Sequence, residues 1–165
     1  MHFVRYAGLA FLIVLTGCGT SSPPAAPAPA PVSDAEQLLK LHEKVLVAHR
    51  EQNVEKLLED EPDDYVIGSR GEVLQPTKSQ RAATLGPYLA NTRFTTYIDI
   101  VPPIVKVSAD GTLGWVVVTV SGLGTQRTAE GPRDIEFTSA WIELYEKREG
   151  RWLRIGNVSS FKRPM

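Results

Sequence analysis

Only one cysteine, Cys18, occurs among the 165 residues, so no internal disulfide holds the chain together. Neither charge sign dominates: 18 basic against 19 acidic side chains leave a net charge of −1. Recognition of nucleic acid or anionic lipid needs a clustered basic surface. Lys162 and Arg163 at the end are too few to build one, so no nucleic-acid partner is expected. A Gly-rich phosphate loop, an HExxH helix, a metal-spaced set of His and Cys, and a Gly-x-Ser-x-Gly elbow are all missing. The sequence therefore points to no cofactor and no metal, and a serine hydrolase is a poor fit. Internal repeats are absent too. The apolar run Ala7–Leu15 has about nine residues, far short of the ~20 that a membrane-spanning helix needs.

What that run does match is a secretory h-region, with Arg5 as a short positive n-region before it. The run closes on Thr16 and Gly17 before the cysteine. A lone cysteine can be a buried thiol, a nucleophile or half of an intermolecular bridge. None of these explains its place directly after an apolar run and two small residues. Leu15-Thr16-Gly17-Cys18 resembles the lipobox of a bacterial lipoprotein signal. The resemblance implies residues 1–17 as a signal peptide and a diacylglycerol on Cys18, usually with a further acyl chain on its new amine. More than one chain makes membrane anchoring stable where a single chain is marginal. The expected partner is thus a membrane, through the anchor at Cys18, and the expected location is the bacterial cell envelope. Gly19, where Asp would signal retention, implies an outer membrane facing the periplasm if the cell is Gram-negative.

Residues 18–32 hold the cysteine and an Ala/Pro-rich segment without apolar periodicity. Alternating Ala-Pro favours polyproline II, a semi-rigid tether of roughly 40 Å at full extension. The folded domain is expected over 33–165. Its ~130 residues bury roughly two-thirds of the surface their unfolded chain exposes, enough to fold without disulfide or metal. Ser33 with Glu36 makes a capping box. Leu38, Leu41, His42, Val45, Ala48 and His49 then recur at helical spacing up to about Arg50. Asn53 caps a shorter helix to Asp60. Asp63–Gly68 and Glu72–Gln75 read as a short hairpin. Thr77 and Gln80 open a third helix through Leu85, which Gly86-Pro87 should kink.

From Arg93 the period becomes two. Arg93–Val107 reads as one strand interrupted by Pro102-Pro103, Ala109-Asp110-Gly111 as a three-residue hairpin loop, and Trp115–Ser121 as a central strand. Gly122–Pro132 reads as a polar loop, and Ile135–Lys147 and Arg151–Ser159 as a closing hairpin turned at Arg148-Glu149-Gly150. A three-residue turn there sets Tyr145 opposite Leu153, Glu143 opposite Ile155 and Trp141 opposite Asn157. A two-residue turn instead sets Arg154 opposite Tyr145.

Helix, helix, short hairpin, helix and then long antiparallel strands, ending in Ala140–Lys147 and Gly150-Arg151-Trp152, resembles the nuclear transport factor 2-like superfamily, which includes SnoaL-like cyclases and ketosteroid isomerase. The resemblance implies an α+β fold, a cone-shaped curved antiparallel sheet packed against three helices, with a ligand site in the cone. It covers roughly Ser33 to Phe161. Helix one has no tyrosine of the kind that ketosteroid isomerases use, so their catalytic set is not carried over.

Phe137, Ser139, Trp141, Glu143 and Tyr145 share one face of their strand, and Phe137, Trp141 and Tyr145 with Trp115 and Asn157 are the expected pocket lining. Glu143, Asp99, His42 and Tyr65 are the candidate catalytic residues. Inside the cone, desolvation would raise the Glu143 pKa into the range of an acid or base. Beside Arg154 or Arg93, Glu143 is an ordinary ion-paired residue. His42 and His49 lie about 10 Å apart along their helix, too far to share one metal. Three functions remain open. The leading one is a non-enzymatic envelope lipoprotein whose cone binds a small apolar ligand or an envelope protein. The others are a small isomerase, dehydratase or cyclase, and a module that forms a homodimer through its sheet face.

Overall fold

The computed structural model describes residues Val32–Lys162, so the signal, Cys18 and the tether expected before them lie outside the described residues. Helix α1 spans Asp34–Arg50 and opens with both halves of the Ser33/Glu36 capping box. It buries Leu38, His42, Val45, Leu46 and Ala48, the stripe that the helical spacing predicts. Helix α2, Val54–Leu58, is capped by the Asn53 side chain and buries Leu57 and Leu58. The hairpin of β1 (Val66–Ser69) and β2 (Glu72–Leu74) follows. Helix α3, Lys78–Asn91, starts at the Thr77/Gln80 capping box and runs through Pro87. The helix expected through Leu85 thus extends past Gly86-Pro87 to Asn91. A proline forfeits one backbone bond, and Leu89, fully buried two residues later, keeps the helix against the core.

Strands β3 (Thr92–Asp99), β4 (Ile104–Val107), β5 (Leu113–Thr128), β6 (Gly131–Arg148) and β7 (Arg151–Phe161) complete one sheet of order β2-β1-β7-β6-β5-β3, with β4 also on β5. The sheet is mixed rather than wholly antiparallel, because β1 runs parallel to β7. Pro102-Pro103 falls in the break between β3 and β4, where no ladder hydrogen bond is needed. The expected polar loop at Gly122–Pro132 is instead strand. β5 and β6 stay paired to Thr128 opposite Gly131, with only two residues between them. Glycines there serve close packing. A Cβ on Gly122 would sit 2.4 Å from the Phe137 ring, and one on Gly124 would sit 2.2 Å from the Arg93 carbonyl oxygen. The hairpin between β4 and β5 is longer than the three residues expected, since Ser108 N–H still bonds the Leu113 carbonyl across it.

Two bulges set which side chains point inward. In β3 the register shifts between Phe94 and Thr96, so Phe94 and Tyr97 are both buried despite an odd spacing. Between β6 and β7 the turn is the two-residue one, with Arg148 opposite Arg151 and Tyr145 opposite Arg154. A bulge then skips Ile155, so Glu143 meets Asn157 and Trp141 meets Ser159. The three-residue register is therefore corrected. The bulge reverses parity along β7, letting Arg154 and Asn157 both face the concave side.

Candidate functional site

Beneath the cone, six charged side chains from six parts of the chain alternate in sign. Asp99 on β3 bonds His42 Nε2 at 3.0 Å, and Glu143 Oε2 on β6 bonds His42 Nδ1 at 3.1 Å. Arg154 on β7 lies 3.4 Å from Glu143 Oε1 and pairs with Glu61, which in turn pairs with Arg81 on α3. Glu143 is fully buried, and His42, Glu61, Arg81 and Arg154 nearly so. Both His42 nitrogens face carboxylate oxygens, which only accept, so both must donate and the ring is an imidazolium. Burial works against that charge, yet Glu143 and Asp99 raise its pKa above the ordinary value. Three cations then meet three anions, the balance that a buried cluster requires.

Glu143 also accepts from Trp141 Nε1 at 3.0 Å and from the Tyr145 hydroxyl at 2.6 Å. Burial alone would raise its pKa. The bonds from His42 and Tyr145 and the charges of Arg154 and His42 overcome it and hold Glu143 at about 2. The expected upward shift is thus corrected: a carboxylate with this many donors is ionised at neutral pH and cannot serve as a neutral acid.

Above this floor opens a cavity of about 750 Å³. Its wall includes Leu57, Leu85, Tyr88, Ile135, Phe137 and Trp141, with Tyr65, Ser139 and Asn157 adding polar atoms. Among the expected lining residues, Phe137, Trp141 and Asn157 border it, whereas Trp115 and Tyr145 do not. Trp115 has the opposite parity from the buried Val116 and Val118 and is 38 % exposed on the outer face. Tyr145 is spent below, on Glu143. Of the four candidate catalytic residues only Tyr65 reaches the cavity. His42, Glu143 and Asp99 converge, but on one another.

His49 does border the cavity. Its Nδ1 donates to the Val45 carbonyl at 2.8 Å, and its ring stacks on Tyr97 at 4.4 Å between centroids. Burial lowers its pKa to about 4, so the ring is neutral and Nε2 carries the lone pair. Tyr65 lies under the Arg81 guanidinium, 3.6 Å from its centroid, with its hydroxyl 3.4 Å from Asn157 Oδ1. Glu61, Arg81 and Arg154 were not singled out from the sequence. Arg81 left one signal, a cation sharing the helical stripe of Leu85 and Leu89.

No protein-family model matches the chain, and no curated protein matches it. Solved structures do. A nuclear transport factor 2-like protein of unknown function from Pseudomonas putida superposes with a TM-score of 0.62 at 15% identity, over 79% of this chain and 88% of that one. A nuclear transport factor 2-like protein from Cytophaga hutchinsonii gives 0.59 at 19% identity, over 76% and 95%. A ketosteroid isomerase-like protein from Erwinia carotovora gives 0.60 at 14% identity, over 79% and 98%. At these identities the likeness carries the fold alone. The described domain has the nuclear transport factor 2-like fold, an α+β cone.

Proposed function

We propose that the domain is a non-enzymatic binding module that takes a small, largely apolar ligand into the cone, held at a bacterial envelope membrane by lipid on Cys18. One observation carries this reading: the cavity wall is apolar and aromatic, while His42, Glu143 and Asp99 bond each other beneath it. A general acid or base must reach the proton it moves. The cavity volume also falls within the ~300–1,000 Å³ usual for small-molecule sites. A module working only through its sheet face, as a homodimer or against an envelope protein, needs no such opening. An acid-base enzyme would have to rely on His49 and Tyr65. A histidine at about 4 is a weak base at neutral pH, and burial raises the Tyr65 pKa, which makes it a weak acid.

The test is saturable fluorescence enhancement of the neutral apolar probe N-phenyl-1-naphthylamine. One site is expected, and it should be lost in Ser139→Trp, whose indole would occupy the cavity. Absence of saturation, or binding unchanged in Ser139→Trp, would sink the binding reading. The anchor has its own test. Cys18→Ser should move the protein from the membrane to the soluble fraction, and retention at the membrane would remove the lipid from the account.

A further inference from the structure

The cavity wall is one-sided in charge. Arg70, Arg81, Arg133 and Arg154 border it, and among the described residues no aspartate or glutamate does. The four fall into two tiers. Arg70 and Arg133 are exposed, whereas Arg81 and Arg154 are each only 7 % exposed. Glu61 and Glu143 neutralise the inner pair from behind, so the surface that an occupant meets presents guanidinium donors without their counterions.

Arg81 is the incomplete member. One of its terminal nitrogens pairs with Glu61 and its plane lies on the Tyr65 ring; that nitrogen and Nε are closed off from solvent, while the other terminal nitrogen is not closed off and has no hydrogen-bond partner among the described residues. A carboxylate that accepts from that open nitrogen makes a charge-assisted hydrogen bond, about twice as strong as a neutral one. Burial and the neighbouring Arg154 charge also draw the Arg81 pKa down to about 9, which leaves it charged at neutral pH.

We infer that the ligand is an amphipathic anion, an apolar body bearing a carboxylate, whose carboxylate accepts from Arg81 at the cavity floor while its body lies between Leu85, Tyr88, Phe137 and Trp141. Arg70 and Arg133 at the mouth draw the anion in and screen readily with salt. Asn157 and Ser139 stand within the same lining as further polar partners. The inference rests on the binding reading above and adds to it the charge and orientation of the occupant.

The experiment is displacement of N-phenyl-1-naphthylamine by three probes of one shape: 2-naphthoate, its methyl ester and 2-naphthylmethylammonium. A charge-assisted bond predicts that the acid displaces the dye roughly tenfold more tightly than the ester, with the ammonium weakest. In Arg81→Lys, which keeps a cation beside Glu61 but removes the second terminal nitrogen, the preference for acid over ester should fall below about threefold. In the double variant Arg70→Gln/Arg133→Gln the preference should persist and its salt dependence should shrink. Equal displacement by acid and ester overturns the anion while leaving the binding reading standing. Failure of the dye itself to bind removes the binding reading first. Acid preference retained in Arg81→Lys but lost in the mouth double variant overturns the floor placement.

Discussion

His42 and His49 stand on the same helix, α1, two turns apart, and the fold gives them opposite chemistry. The floor around His42 is closed and saturated: two carboxylates hold the imidazolium, and each of its nitrogens is spoken for. The wall around His49 is open: a backbone carbonyl takes one nitrogen, Tyr97 covers the ring, and the cavity lies beside it. Burial is common to both. What separates them is whether anions were folded in alongside. Buried charge survives only in company, so the floor spends its charged groups on each other, Arg81 and Arg154 at its edge also bordering the cavity, and specifies one arrangement of six parts of the chain. The wall keeps its donors for an occupant.

The comparison breaks most forcefully at Glu143. Glu143→Gln leaves His42 and Arg154 facing a neutral amide inside the core. A loss of about 3–5 kcal/mol in urea unfolding is expected. A loss under about 1 kcal/mol would mean that the floor is not a coupled unit.

pH should separate the two histidines next. The raised His42 pKa contributes stability that is full below 6.5 and is lost as pH rises through its folded value. His49, lowered from 6.5 to about 4, acts on the other side: below 6.5 the unfolded chain takes a proton that the folded ring refuses, so stability falls toward pH 4. Glu143, lowered from 4.5 to about 2, adds a further loss as pH drops below 4.5. Denaturation midpoints between pH 4 and 9 should therefore peak near 6.5 and fall on both sides. Stability still rising above pH 8 would contradict the charged state assigned to His42.

Asp99→Asn probes the exposed end of the floor, where the Asp99 side chain is 19% accessible. Solvent screening reduces the cost to about 1 kcal/mol. The informative readout is the His42 pKa by nuclear magnetic resonance titration, which should move down as one anion is withdrawn. The smallest effect is expected from His49→Phe. It keeps an aromatic ring on Tyr97 and loses the bond to Val45, for a change of about 1 kcal/mol or less. Its acid limb between pH 6.5 and 5 should flatten while the alkaline limb stays. Loss of both limbs would show that the two regions are not independent.

The sequence alone determined the helices and their starts, because capping boxes and helical stripes are local: Ser33/Glu36 and Thr77/Gln80 act over three residues. It also determined the order of elements, from which the α+β cone follows, and the inward face of β6 from Phe137 to Tyr145, a matter of period two. What only the tertiary structure decided is which charged groups meet. Strict alternation would have set Tyr97 and Asp99 on the face opposite Phe94. The bulge after Phe94 turns Tyr97 inward with Phe94 and lets Asp99 reach His42. The bulge at Ile155 does the same for Arg154 and Asn157. A single extra residue in one strand inverts every side chain beyond it, and nothing local in the chain announces where that residue falls. Arg81 and Glu61 likewise met only through the packing of α3 and the segment after α2 on the sheet. Glu143 could be named from its own strand, but whether it would be an acid or an ion-pair partner rested on those distant neighbours.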